Sequence, residues 1–251
     1  MSTRTPLIAG NWKMFKTCSE AVATAAVLAK NVADVSGRDV MIAPPFTALY
    51  PVSEVLAGSR VSLGAQNLFW EKEGAYTGEI SAAMLASVGC RYVIIGHSER
   101  RQYFNETDET VNQRIQAALK GALIPVFCVG ESEQERDSGQ TFSVLDKQIK
   151  DGLKNFFAKD LAKLVIAYEP VWAIGTGKTA TSRQVQDVHE FLRSLLKKSL
   201  GQELAESIRI LYGGSVKPDN IAELMGMPDV DGALVGGASL NPDTFSAIIH
   251  Y

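Results

Sequence analysis

The sequence predicts an α/β protein, a closed (β/α)8 barrel built as a single domain over residues 1–251. Three observations carry that expectation. Eight short, almost continuously apolar runs recur along the chain, each stopping at a small, polar or charged residue. Their starts lie 34, 21, 31, 32, 40, 44 and 24 residues apart, the spacing of one strand and one helix per unit. The stretches between them hold apolar residues at helical spacing, with no linker or charge block that would divide the chain.

The first run, PLIAGNWK from Pro6, ends at Asn11-Trp12-Lys13. VMIAPPF from Val40 and VSLGAQNL from Val61 follow. The connection after the third run, Gln66 to Glu79 (QNLFWEKEGAYTGE), carries Phe69, Trp70 and Tyr76. Loops of that length are uncommon unless they serve a function, and aromatics in a protruding loop suit a contact with another copy of the chain. YVIIGHSE from Tyr92 ends at His97-Ser98-Glu99. A helix is expected over Asn105–Lys120, with Val111, Ile115, Ala118 and Leu119 on one face and Gly121 as its stop. IPVFCVGE from Ile124 ends at Gly130-Glu131, and LVIAYEP from Leu164 ends at Glu169-Pro170. SRQVQDVHEFLRSLLKK then places Val185, Val188, Phe191, Leu192, Leu195 and Leu196 at three- and four-residue spacings, a helix. IRILYGGS from Ile208 ends at Gly213-Gly214-Ser215, with a helix expected to open near Lys217-Pro218. GALVGGAS from Gly232 closes the series at Gly236-Gly237-Ala238-Ser239. Runs that do not alternate mark parallel strands covered on both faces. A doubly wound open sheet is the alternative, and it seldom needs eight units.

Composition supports a large core: 46% of the 251 residues are hydrophobic and 21% charged, which excludes a disordered chain. The net charge of −3 gives no reason to expect a nucleic-acid or anionic-membrane partner, so an anionic substrate would have to be held by local donors. Cys18, Cys90 and Cys128 are widely spaced with no C-x-x-C, so neither a disulfide framework nor a zinc site is expected; they read as core residues of a reduced protein. The apolar stretch Leu7–Ala9 is too short for a signal peptide, and Ala21–Ala29 is far below the roughly 20 residues that span a bilayer. A soluble, cytoplasmic chain is expected.

In such a barrel the chemistry lies where the strands end. Glu169 ends an apolar run, where desolvation would raise a carboxyl toward the pKa a general base needs. His97 ends another, before a segment expected to open a helical turn whose N-terminus disfavours imidazolium. Lys13 offers a fixed cation for an anionic substrate or a developing oxyanion. Each has a plainer reading alone: a solvated strand-end glutamate, a packing histidine, a snorkelling lysine. Their convergence on one mouth favours chemistry. The glycine turns after the seventh and eighth runs would bare backbone N–H groups where this fold recurrently binds phosphate. His189 and His250 read as structural or solvated, and with no second strand-end histidine a His-rich metal centre is not expected.

The stretch Pro170–Thr179 mimics two nucleotide motifs. Gly177-Lys178-Thr179 fails as a phosphate loop because Trp172 stands where the first glycine belongs. Gly175-x-Gly177-x-x-Ala180 does not directly follow a strand. What remains is a loop of large apolar residues between a proline and two glycines, suited to a lid that excludes water.

Taken in order, AGNWKM (Ala9–Met14), AYTGEIS (Ala75–Ser81), IIGHSERR (Ile94–Arg101), CVGE (Cys128–Glu131), AYEPVWAIGTGK (Ala167–Lys178), LYGGSV (Leu211–Val216) and LVGGASL (Leu234–Leu240) closely resemble the triosephosphate isomerases over essentially the whole chain. The resemblance implies a TIM barrel that interconverts dihydroxyacetone phosphate and D-glyceraldehyde 3-phosphate, a step of glycolysis and gluconeogenesis, with no cofactor or metal. It implies Glu169 as the base, neutral His97 as the group that polarises the carbonyl, and Lys13 with Asn11 as stabilisers of negative charge. Backbone donors at Gly175, Ser215, Gly236 and Gly237 would hold the phosphate under the loop Pro170–Thr179, and Glu99 would partner Lys13. The loop Gln66–Glu79 would form a homodimer contact, with Thr77 approaching the partner's site. Two other readings stand beside this one. A barrel aldolase would use Lys13 as a Schiff-base former, which borohydride trapping would reveal. A non-catalytic binder of phosphate metabolites would need neither Glu169 nor His97 at a strand end.

Overall fold

A computed structural model describes residues 4–173 and 179–251. Eight parallel strands close into a barrel in chain order: β1 (Leu7–Asn11), β2 (Asp39–Ala43), β3 (Val61–Ala65), β4 (Cys90–Ile95), β5 (Ile124–Val129), β6 (Val165–Tyr168), β7 (Arg209–Tyr212) and β8 (Gly232–Val235). Each falls on one of the eight apolar runs. The barrel closes where β1 pairs with both β2 and β8, Leu7 lying opposite Asp39 on one side and Gly232 on the other. Gly232 has φ +146°, and a Cβ there would overlap the Leu7 carbonyl, so the seam requires glycine.

The runs lack alternation because both faces of each strand are buried. Leu7 and Ala9 of β1, Tyr92 and Ile94 of β4, and Val126 and Cys128 of β5 fill the barrel interior. The intervening Ile8, Val93 and Phe127 pack outward against the helices. Cys90 and Cys128 are buried, whereas Cys18 is exposed at the start of helix Cys18–Asn31, contrary to the expected core position.

The helices follow the sequence pattern with shifted ends. Ser182–Leu200 starts at Thr181, whose hydroxyl accepts from the Gln184 N–H, and buries Val185, Val188, Leu192 and Leu196. The expected Asn105–Lys120 helix begins at Asp108, after the Thr107 cap, because Asn105 is left-handed at φ +53°. Gly121 caps its end, and the left-handed residue is Ala122 at φ +58°. Gly121 is required for space instead: a Cβ there would stand 2.6 Å from that of Ala82. After Ser215 the chain turns, and helix Ile221–Met225 opens later than the expected Lys217. No described helix is long and apolar enough to cross a membrane.

His189 is fully buried, which fits the structural reading and not the solvated one. Its Nδ1 lies 3.0 Å from the Asp229 carbonyl, and its ring meets Tyr168 edge-on with centroids 5.9 Å apart. Burial pushes its pKa down from 6.5 to about 4. A folded-state value below the unfolded one means that, below about pH 6.5, the unfolded chain takes up a proton that the folded chain refuses until about pH 4. Folding stability is therefore expected to fall across that window by about 1.4 kcal/mol per pH unit, about 3 kcal/mol in all. Urea midpoints measured from pH 8 to pH 4 check this, and His189→Gln is expected to flatten the acid slope by one proton.

Candidate active site

The C-terminal ends of the strands surround a cavity of about 510 Å³. Asn11 and Lys13 enter it from β1, His97 and Glu99 from β4, and Glu169 from β6. Ser215 follows β7, and Gly236 and Gly237 follow β8. All seven expected site residues within the described stretches meet in this one space. Gly175, with residues 174–178 of the expected lid, lies outside the described residues.

Lys13 is held by its backbone first. It is left-handed at φ +49°, a conformation that costs a non-glycine residue about 1 kcal/mol or more. Its N–H donates to Asn11 Oδ1 at 3.0 Å, and its carbonyl accepts from Gln66 Nε2 at 2.8 Å. The same Gln66 amide donates to the Ala43 carbonyl at 2.8 Å, so one side chain at the end of β3 ties the ends of β1 and β2 together. The Lys13 ammonium reaches Glu99 Oε1 at 2.6 Å. A Cβ on Gly236 would lie 3.4 Å from Lys13 Cε, so the cation stands beside the glycine turn.

Gln66 was counted in the sequence only as the start of a long loop. It directly follows β3, so the rule that singled out the other strand ends would have found it. A carboxylate there would replace the shared Nε2 donor with an oxygen facing both the Lys13 and Ala43 carbonyls. Gln66→Glu is expected to cost about 2–3 kcal/mol and lower Tm by roughly 5–10 °C, measured by calorimetry near neutral pH.

Glu169 is fixed by its neighbours. Its N–H donates to the Val129 carbonyl at 2.8 Å, and the Gly213 N–H donates to the Tyr168 carbonyl at 2.7 Å. A Cβ on Gly130 would overlap the Glu169 carbonyl, and one on Gly213 would stand 2.9 Å from Glu169 Cγ. The carboxylate is buried at 2% exposure. It accepts from the Ser98 N–H at 2.9 Å, and its Oε1 lies 2.9 Å from His97 Nε2. Sequence reasoning had no signal for this Ser98 contact, because a backbone donor is set by the turn and not by residue type.

His97 caps helix Ser98–Tyr103, with Nδ1 accepting from the Glu99 N–H at 3.2 Å. Burial is the largest influence and lowers its pKa, but the Glu169 and Glu99 carboxylates together outweigh it and hold the ring above its ordinary value. Burial raises Glu169, and there the His97 ring and the Ser98 N–H outweigh it, so the carboxyl sits below the usual range. Both directions oppose the expectation of a raised carboxyl and a ring held neutral by the helix end. The cause is the direct contact between the two side chains, which neither position predicts alone. The Glu99 N–H aimed at Nδ1 favours the tautomer protonated on Nε2, since a second ring proton would face that donor.

The segment after Glu169 is anchored at Glu131, which is fully buried. Its Oε1 accepts from Trp172 Nε1 at 3.0 Å and from Tyr168 Oη at 3.1 Å, and Arg136 Nη1 donates to it at 3.0 Å. The sequence places Glu131 at a strand end without showing this role. The loop Gln66–Glu79 stacks Phe69 on Trp70 and Tyr76, with centroids 4.1 and 4.8 Å apart, so its aromatics pack on one another while residues 71–79 stay exposed.

Fold and cavity together define an α/β-barrel enzyme with its acid–base groups at the C-terminal mouth, facing glycine turns suited to an anion. Residues 6–251 match the model of the family "Triosephosphate isomerase". The triosephosphate isomerase of Carboxydothermus hydrogenoformans is 57% identical over 98% of each chain, and that of Geobacter metallireducens is 56% identical over 99% of each. The crystal structure of triosephosphate isomerase from Bartonella henselae superposes with a TM-score of 0.88 at 40% identity, covering 98% of this chain and 99% of that one. The chain belongs to the triosephosphate isomerase family, and it is an enzyme that isomerises triose phosphates.

Proposed function

We propose that Glu169, His97 and Lys13 carry out the interconversion of dihydroxyacetone phosphate and D-glyceraldehyde 3-phosphate, a step of glycolysis and gluconeogenesis. The observation that carries this reading is the meeting of Glu169 and His97 at 2.9 Å, in a cavity shared with Lys13 and the turns at Ser215 and Gly236. Phosphate sits on the backbone donors of Ser215, Gly236 and Gly237, with Gly175 joining from the lid. Asn11 and Lys13 face the substrate oxygens.

Glu169 turns from Ser98 and His97 toward the substrate and takes a proton from C1 of the ketose. The C–H electron pair forms the C1–C2 double bond as charge moves onto the carbonyl oxygen. His97 Nε2–H donates to that oxygen, and Lys13 stabilises the negative charge. With Glu169 turned away, burial, the largest influence on His97, lowers its pKa together with the Lys13 charge, and only Glu99 is left to oppose them. The ring then works as a neutral donor. His97 gives its Nε2 proton to the C2 oxygen and takes up the C1 hydroxyl proton, so that return of the proton from Glu169 to C2 leaves a carbonyl at C1 and gives the aldose. Excluding water protects the enediolate from losing its phosphate by elimination.

The chain acts as one domain over residues 1–251, in the cytoplasm, as a homodimer. The loop Gln66–Glu79 supports that assembly, as do the exposed Met14, Phe15 and Met84, with Met14 at 95% exposure. Light scattering is expected to give twice the 27.2 kDa chain mass. The reading itself is tested by a coupled assay of glyceraldehyde 3-phosphate isomerisation with EDTA present. No turnover would overturn it, and a borohydride-trapped adduct at Lys13 would replace it with Schiff-base chemistry.

A further inference from the structure

The ionised groups that line the cavity do not favour an anion until one more residue is counted. Lys13 is paired with Glu99 at 2.6 Å, and Glu169 contributes a second carboxylate beside a ring that is neutral in the reaction. One cation against two carboxylates leaves the lining with a net negative charge, on a chain whose total is already −3. Lys217 also lines the cavity; it is exposed and makes no ion pair with a described residue. Among the described lining residues it is the cation not matched to a carboxylate. Its backbone is fixed: the Lys217 N–H donates to Asn220 Oδ1 at 2.8 Å, and Asn220 Nδ2 donates to the Ser215 carbonyl at 3.1 Å. The turn that presents Ser215 to the cavity thus also sets where Lys217 begins.

We propose that Lys217 is an electrostatic capture residue that draws the doubly charged phosphate of the substrate to the mouth without taking part in proton transfer. The inference rests on the placement of phosphate at the Ser215 and Gly236 turns. A cation at the rim of a low-dielectric cleft raises the local concentration of anions and the association rate, and salt weakens that effect. Chemistry at Glu169 and His97 does not involve it, so the loss on its removal belongs to kcat/KM and not to kcat.

Steady-state kinetics of Lys217→Gln, Lys217→Glu and Lys217→Arg at ionic strengths of about 0.02 and 0.3 M test this, since the screening length shortens about fourfold between them. At low salt, kcat/KM is expected to fall about threefold in the glutamine variant and about tenfold in the glutamate variant. Both should return to within about twofold of the parent at high salt, with the arginine variant unchanged throughout. A loss of the same size at both salt concentrations, a loss confined to kcat, or no loss at low salt overturns the inference. Competition by inorganic phosphate against substrate in the parent protein separates the two levels. If phosphate competes and the salt series is flat, only the role of Lys217 falls. If phosphate does not compete, the placement at Ser215 and Gly236 falls with it.

Discussion

Glu169→Asp is expected to lower kcat by about a thousandfold while KM moves by no more than a few-fold. The substitution keeps the charge and the acid–base chemistry and withdraws the carboxylate by one methylene. The structure leaves no means of restoring that reach. Backbone movement is blocked on one side by Gly130, where even a Cβ would overlap the Glu169 carbonyl, and on the other by Gly213, packed against Glu169 Cγ. The strand bonds to Val129 and from Gly213 hold the same segment along the barrel axis. In the proposed reading, substrate affinity rests on the glycine turns and Lys13, which the change does not touch. Single-turnover and steady-state rates on the purified variant check the split between kcat and KM, and an unchanged kcat would remove Glu169 from the mechanism.

His97→Gln is expected to lower kcat by about a hundredfold and to move the pH profile as well. A glutamine amide can donate to a substrate oxygen but cannot pass a proton on, so polarisation survives in part and proton shuttling does not. In the parent protein burial raises the Glu169 pKa and the His97 ring lowers it. Without the ring the carboxylate loses its largest stabilising neighbour, and its pKa rises. The acid limb of kcat/KM should therefore shift to higher pH, because a greater share of Glu169 is protonated at any pH below that limb. A parent-like rate would show that the imidazole is not needed, and an unmoved acid limb would break the link between the two side chains.

Much of this was legible in the sequence. The eight apolar runs name the strands to within two residues or so because burial on both faces keeps polar residues scarce within them. The site follows from asking what stands where each run stops, which yields Asn11, Lys13, His97, Glu169, Ser215, Gly236 and Gly237. What stayed hidden depends on contacts across the barrel. The Glu169–His97 contact reverses the direction of both pKa shifts, and no property of either residue alone announces it. Gln66 acts through two carbonyls on neighbouring strands, and Ser98 through its backbone. Such roles depend on three-dimensional register, which motif spacing does not encode. Helix ends were misplaced where a single residue adopts an unusual backbone conformation, as at Asn105.

The seam between β1 and β8 also bears on synthesis. Lys13 is made long before Gly236, yet a Cβ on Gly236 would touch the Lys13 side chain. A chain still emerging from the ribosome can form its early βα units, but its first strand keeps an unpaired edge until residues 232–235 arrive. A closed barrel therefore waits until β8 has been made, and a product cut short before β8 lacks both the closed barrel and the turn at Gly236 that lines the cavity.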